Sequence, residues 1–340
     1  MFPTFFRPPV VAIVGASGAV GSELLGCLER RRFPLAGLRL FASPRSAGTA
    51  LRFAGASLTI EPLEEGSFAG IDLALFSAGS DVARRFAPLA VAAGAVVIDN
   101  SSAFRMASDV PLVVPEINAA ALAGHRGIIA NPNCVAITVG MPLWPIHRQN
   151  PIERVLIASY QAVSGAGAAA VAELLQGTRA ALKGLSHTPR ILRHPIAFNL
   201  FSHDSAINPD SGYNVEETKV MAELRKIFDE DGLRVGATCI RVPVLRAHSA
   251  AITVDCARPI APEAVRRLLA AAPGIWLVDD AERNHFPMPK DASGQDEILV
   301  GRIRHDASDP SGRSIALFVA GDQLLKGAAL NAVQIAERLL

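Results

Sequence analysis

The chain has 340 residues, half of them hydrophobic, and a net charge of +1 from 33 basic and 32 acidic residues. That length predicts two domains rather than one core. Near-zero charge without like-charge runs, and aromatics at 6%, argue against nucleic-acid binding by an electrostatic footprint or base stacking.

Residues 1–9 carry no basic region followed by a long apolar core, so they are expected to be a short tail and not a signal peptide. No apolar stretch reaches the roughly 18 residues that span a bilayer, so no membrane association is expected. Val10–Val14 is a β-rich apolar run. It ends at Gly15, Ala16, Ser17, Gly18, Ala19, Val20 and Gly21, and helical spacing follows through Leu24, Leu25 and Leu28. Strand, glycine turn and helix together are the context a nucleotide-binding motif requires, because glycines let the backbone approach a pyrophosphate whose charge the helix N-terminus stabilises. The spacing is G-x-x-G-x-x-G, and no Gly-Lys-Ser/Thr is present, which excludes a P-loop.

The next strand, Leu38–Ala42, lacks the acid that would bind a ribose 2′-hydroxyl; no Asp or Glu lies between Glu29 and Glu61. It runs into Ser43, Pro44, Arg45 and Ser46, whose hydroxyls and guanidinium suit a 2′-phosphate, so NADP is expected over NAD. Two further strands end at Ser77, Ala78 and Gly79 and at Asn100, Ser101 and Ser102, where the carboxyl ends of an open α/β sheet line a ligand crevice. Arg105 follows, either an anion ligand or a surface cation.

Asn131-Pro132-Asn133-Cys134 sets one cysteine directly before an apolar helical run, Val135 to Leu143. A helix N-terminus favours the reactive thiolate. Val155–Val163 reads as a strand carrying a polar Gln161, followed by Ser164 and Gly165. Residues 184–214 are rich in Pro, His, Asn and Ser and lack periodicity, which suggests a functional or interface segment. Glu216, Glu217, Thr218 and Lys219 open a helix, where acids are also good capping residues. Thr238–Val244 reads as a strand bearing Arg241, with His248 beyond it as a plausible general base. Seven residues is an odd step on a strand, so their convergence requires a turn or bulge. A strand at Ile315–Val319 and an amphipathic helix over 326–336 close the chain. The cysteines (27, 134, 239, 256) are scattered without C-x-x-C or metal-ligand spacing; no metal is expected, and a reducing cytoplasm fits.

Taken in order, these motifs resemble the aspartate-β-semialdehyde dehydrogenase family over nearly the whole chain. The resemblance implies an α/β fold: an N-terminal Rossmann-like NADP-binding domain (10–133 and 322–340, the C-terminal helix returning to it) and an α+β catalytic and dimerisation domain of the glyceraldehyde-3-phosphate dehydrogenase-like kind (134–321). It implies NADPH-dependent reductive dephosphorylation of L-4-aspartyl phosphate to L-aspartate 4-semialdehyde through a thioester on Cys134, in lysine, threonine, methionine and isoleucine biosynthesis. Gly15–Gly21 would form the NADP motif, with Ser43, Arg45 and Ser46 at the 2′-phosphate and Ser77–Gly79 along the crevice. Ser164, Gly165 and Gln323 would lie on the nicotinamide side. His248 would be the acid/base, and Gln161 would orient the substrate. Arg241 would hold the α-carboxylate, Glu217 the amine, and Arg105, Asn133 and Lys219 the phosphate. A homodimer is implied. The chain departs from the family at Gln323 and Leu325, where the family pattern has Asn and Arg. The nearest rival, N-acetyl-γ-glutamyl-phosphate reductase, typically carries Gly where this chain has Asn133. A catalytically impaired paralogue is the other alternative.

Overall fold

The continuous apolar run Val10–Val14 (β1) is buried on both faces, as the central strand of a parallel sheet must be. This computed structural model describes residues 7–340; of the expected tail, residues 1–6 lie outside the described residues. The chain divides into two compact units, one of residues up to Asn133 together with Gly327–Leu340, the other Cys134–Lys326.

In the first unit β1 leads into helix α1 (Ala19–Arg30) and then β2 (Gly37–Ala42), which pairs parallel to β1. A hairpin that hydrophobic patterning did not signal, β3 (Ala50–Phe53) with β4 (Ala56–Pro62), extends this edge; its half-exposed strands lack a strong apolar pattern. β5 (Leu73–Phe76) then crosses to the other side of β1, followed by α2 (Ser80–Ala92), β6 (Val96–Asp99), the short α3 (Pro115–Asn118) and β7 (Ile128–Ala130). The strand order β3-β4-β2-β1-β5-β6-β7 puts the topological switch between β1 and β5, where an open α/β sheet binds ligands beyond its carboxyl ends. The C-terminal helix Leu330–Glu337 packs on α1, α3 and β6. Expected to be amphipathic, it is instead buried on almost every side.

In the second unit α4 (Cys134–Gln149) precedes β8 (Ile152–Gln161), α5 (Ala168–Leu182), β9 (Phe201–Ser202), α6 (Val215–Phe228), β10 (Arg234–Arg241) and β11 (His248–Cys256). After these come α7 (Pro262–Ala270), β12 (Ile275–Leu277), α8 (Pro289–Ala292), β13 (Ile298–His305) and β14 (Ser314–Gly321). They form a mixed sheet in the order β12-β13-β14-β11-β8-β10-β9. β10 ends at Arg241, not at Val244 as expected, because Pro243 has no N–H for the ladder. α4, α6 and α7 cover one face of the sheet. The other carries Leu156 at 43% exposure and Thr238. A strand alternates its side chains, so Ser159 and Gln161 share the covered face with Val155 and Ile157, as do Cys239 and Arg241 with Val235 and Ala237.

No helix among the described residues is long and apolar enough to cross a membrane.

Candidate active site

In the first unit, Gly15 ends β1 with φ +90°, in the left-handed region that favours glycine. A Cβ there would stand 2.7 Å from the Ser77 carbonyl oxygen, and one at Gly21 would overlap the Gly15 carbonyl oxygen. Both glycines are therefore required by close backbone approach at the switch point. Gly18 caps α1 without a side-chain bond, which leaves the helix N-terminus to an anion. Ser17 Oγ donates to Ser46 Oγ at 3.1 Å, joining the glycine turn to the exposed turn that bears Ser43 and Arg45. The part-buried Ser77 and Ala78 and the exposed Gly79 follow β5 and lead into α2. This cradle fits a dinucleotide pyrophosphate.

Arg105 is buried, not a surface cation. Its Nε donates to the Asn131 carbonyl at 2.9 Å and its Nη2 to that of Asn100 at 2.7 Å. Asn131 is held further by Asn331, whose Nδ2 donates to its Oδ1 at 2.6 Å. The turn leading to Asn133, itself buried, is thus anchored.

In the second unit, Cys134 is the first residue of α4 and is only partly buried. It lies within Coulombic reach of Cys239 on β10, two residues before Arg241. Arg241 and Gln161 are register partners at the ends of two parallel strands. His248 starts β11 on the other side of β8, so the loop 242–247 carries the chain over the end of β8. Ala247 takes φ +70° in that loop. Arg241 and His248 do converge: a Cβ on Gly165 would lie 3.2 Å from His248 Nε2 and 3.7 Å from Arg241 Nη1.

Between them, the Ala162 N–H donates to His248 Nδ1 at 3.0 Å and its carbonyl accepts from Arg241 Nη1 at 3.0 Å. An accepting Nδ1 leaves the proton of the neutral ring on Nε2. Burial, reinforced by the charge of Arg241, holds His248 well below the usual histidine range. At neutral pH it therefore presents an N–H to the site and not a lone pair.

Gln161, 1% exposed, donates from Nε2 to Glu216 Oε1 at 3.2 Å. Its Oε1 and the Nε of Arg241 are buried without a partner, as expected of groups that await a ligand's polar atoms. The adjacent glutamates have separate tasks. Glu217 closes a capping box with Asn214, accepting that residue's N–H at 2.9 Å, and its other oxygen accepts the Cys239 N–H at 3.0 Å. The carboxylate expected to face the substrate is thus spent on the fold, and Glu216 is the one beside Gln161. Glu216 and Lys219 are three apart on α6 and so share a face. Gln323 Nε2 donates to Ser164 Oγ, and its Oε1 accepts the Ala247 N–H at 2.8 Å. It therefore ties together the turns on either side of His248 and Gly165.

His203, in the aperiodic 184–214 segment, joins the cluster through Arg241. The sequence names Glu216 only as an acid opening the helix and gives no sign of His203; the i, i+3 step from Glu216 to Lys219 is the one available signal.

Two family descriptions match along the chain: the NAD binding domain of semialdehyde dehydrogenase over residues 10–125 and its dimerisation domain over 143–326. Fold and site together define a dehydrogenase that joins a dinucleotide-binding unit to a dimerisation unit. An aspartate-semialdehyde dehydrogenase from Synechocystis sp. is 53% identical over 98% of both chains, and one from Bacillus subtilis is 45% identical over 97% of this chain and 96% of its own. The crystal structure of aspartate semialdehyde dehydrogenase II from Vibrio cholerae, described as complexed with ASA, superposes with a TM-score of 0.94 at 43% identity, covering 98% of each chain. The chain belongs to the aspartate-semialdehyde dehydrogenase family.

Proposed function

We propose that this enzyme reduces L-4-aspartyl phosphate to L-aspartate 4-semialdehyde and phosphate, with NADPH as reductant and Cys134 as acyl carrier, in the biosynthesis of lysine, threonine, methionine and isoleucine. The observation that carries the reading is the convergence of Arg241 and His248 on Ala162 and Gly165, with Gln161 the register partner of Arg241 and one buried polar atom of each of Gln161 and Arg241 unpaired. A rigid, desolvated guanidinium suits an α-carboxylate through forked donors. The Glu216 carboxylate suits the neighbouring ammonium.

The Cys134 thiolate attacks the acyl carbon, the carbon–oxygen bond to phosphate breaks, and a thioester remains. This splits one difficult substitution into two easier ones. The His248 Nε2–H is oriented as a donor, so its role is to stabilise the oxyanion at the acyl carbon, not to take the thiol proton. Bound NADPH supplies the hydride that reduces the thioester. The carbon–sulfur bond then breaks to release the aldehyde and regenerate the thiolate. Gly15–Gly21 would hold the pyrophosphate, and Ser43, Arg45 and Ser46 the 2′-phosphate. Arg105, Asn133 and Lys219 carry the phosphate role that the family resemblance implies, with Arg105 also anchoring the turn before the nucleophile. By the family resemblance, Ser164, Gly165 and Gln323 would lie on the nicotinamide side.

A homodimer belongs to the same reading. The uncovered face of the second sheet holds a depression of about 440 Å³ bordered by Leu156, Thr238, Thr253 and Tyr213, within the matched dimerisation domain. A cytoplasmic location accords with four free thiols.

The test is the reverse reaction with aspartate semialdehyde, phosphate and NADP or NAD. Phosphate-dependent turnover that Cys134→Ser nearly abolishes is expected; robust activity in the serine variant would sink the thioester.

A further inference from the structure

β9 is two residues long, yet it pairs antiparallel with the end of β10, setting Phe201 opposite Arg241. The next residue continues the contact: the His203 N–H donates to the Cys239 carbonyl at 2.8 Å. The ring is thereby brought to Arg241, whose Nη2 lies 2.9 Å from its Nε2. A guanidinium has no acceptor, so Nε2 accepts in this contact and the neutral ring's proton sits on Nδ1, which the stronger 2.9 Å contact to Arg241 favours over the 3.3 Å approach of the Ser205 N–H to Nδ1. Nδ1 is 3.2 Å from Ser205 Oγ, which also accepts the Glu216 N–H at 3.2 Å. Burial holds His203 below the usual histidine range against the pull of Glu216, which keeps the ring neutral.

We infer that His203 is a positioning residue for substrate recognition: with the Ala162 carbonyl, it fixes Arg241 so that the unpaired Nε–H and the remaining N–H groups are presented to the substrate's α-carboxylate. The choice of a neutral ring has a physical reason. A carboxylate in hydrogen-bond contact would pair with Arg241 and compete with the substrate, whereas an imidazole orients the guanidinium and leaves its charge intact. The Asp204 carboxylate stands 3.7 Å from Nη2, beyond a hydrogen bond, and that of Glu216 is bonded to Gln161. This gives a task to one part of the aperiodic 184–214 segment. The inference rests on Arg241 being the α-carboxylate ligand.

The test compares aspartate semialdehyde with 3-aminopropanal, the same amino aldehyde without the carboxylate, in the reverse reaction. The variants are His203→Leu, His203→Gln, whose oxygen reaches the place of Nε2, and His203→Asn, whose oxygen reaches only that of Nδ1. In His203→Leu and His203→Asn the KM for aspartate semialdehyde should rise about tenfold or more, as loss of a charge-assisted bond requires. The KM values for phosphate and for 3-aminopropanal should stay unchanged, and His203→Gln should keep most of the wild-type preference. If His203→Leu does not fold, the Gln and Asn pair still decides. Equal losses on both aldehydes, or none on either, would overturn the inference while leaving the activity standing. A wild type that does not turn over aspartate semialdehyde would overturn the activity and this inference together.

Discussion

The backbone of Ala162 holds His248 and Arg241 at once, by its N–H and its carbonyl, each at 3.0 Å. The bond to His248 fixes which ring nitrogen bears the proton, and so whether the residue would enter the proposed reaction as donor or base. In histidine-labelled protein, the His248 nitrogen signals should report a neutral ring protonated at Nε2 between pH 6 and 8. A ring protonated at Nδ1 would contradict the assignment.

The same burial makes stability pH-dependent. His248 titrates well below its ordinary value in the folded state and near 6.5 when unfolded, so on acidification the unfolded chain takes up the proton first. Its contribution is full above about pH 6.5 and is lost as pH falls, at up to about 1.4 kcal/mol per pH unit, until the folded-state value is reached. Urea unfolding of wild type and His248→Asn at pH 7, 6 and 5 should differ by that slope. Parallel lines would show that His248 is not held neutral.

Glu216 and Glu217 should fail in different ways when changed. Glu217→Ala removes the capping box and leaves the buried Cys239 N–H unpaired, so it should cost about 1–3 kcal/mol in stability. Glu216→Gln preserves the acceptor for Gln161 but removes the charge proposed for the substrate ammonium. It should lower kcat/KM about tenfold or more with little change in melting temperature. The reverse pattern would return the substrate role to Glu217.

Only one thiol should be reactive in the folded protein. Burial pushes Cys239 up to about 12 and Cys256 up to about 11, and Cys27 is buried as well. Iodoacetamide at pH 8 should label one cysteine per chain, mapped to Cys134, and four after unfolding. Cys134→Ser should take up none while folded.

Arg45 is exposed, so Arg45→Ala should leave the fold unchanged. If it meets the 2′-phosphate, the substitution should raise KM for NADP about tenfold and leave that for NAD unaltered. Equal effects on both cofactors would remove it from the phosphate site.

Much of this was legible because it is local. Strand, glycine turn and helix at Val10–Arg30 follow from residues that touch their own neighbours, and so does the placement of Cys134 at the start of α4. The hairpin β3–β4 was not, because its half-exposed strands carry little apolar pattern, and neither was His203, which lies in a segment without periodicity.

The order of residue types along the chain determined the family, and it supplied the proposed nucleophile and the inventory of its candidate partners. Tertiary structure decided what each partner does. Two adjacent glutamates look interchangeable in sequence, but the helix turn and the Cys239 amide claim Glu217, leaving Glu216 beside Gln161. Arg241 and His248 meet only because β8 runs between β10 and β11 and the loop crosses its end. A backbone amide then selects the tautomer of His248. Spacing along a chain specifies which groups are available; packing and hydrogen bonds between distant strands set their direction and protonation, and those set the chemistry.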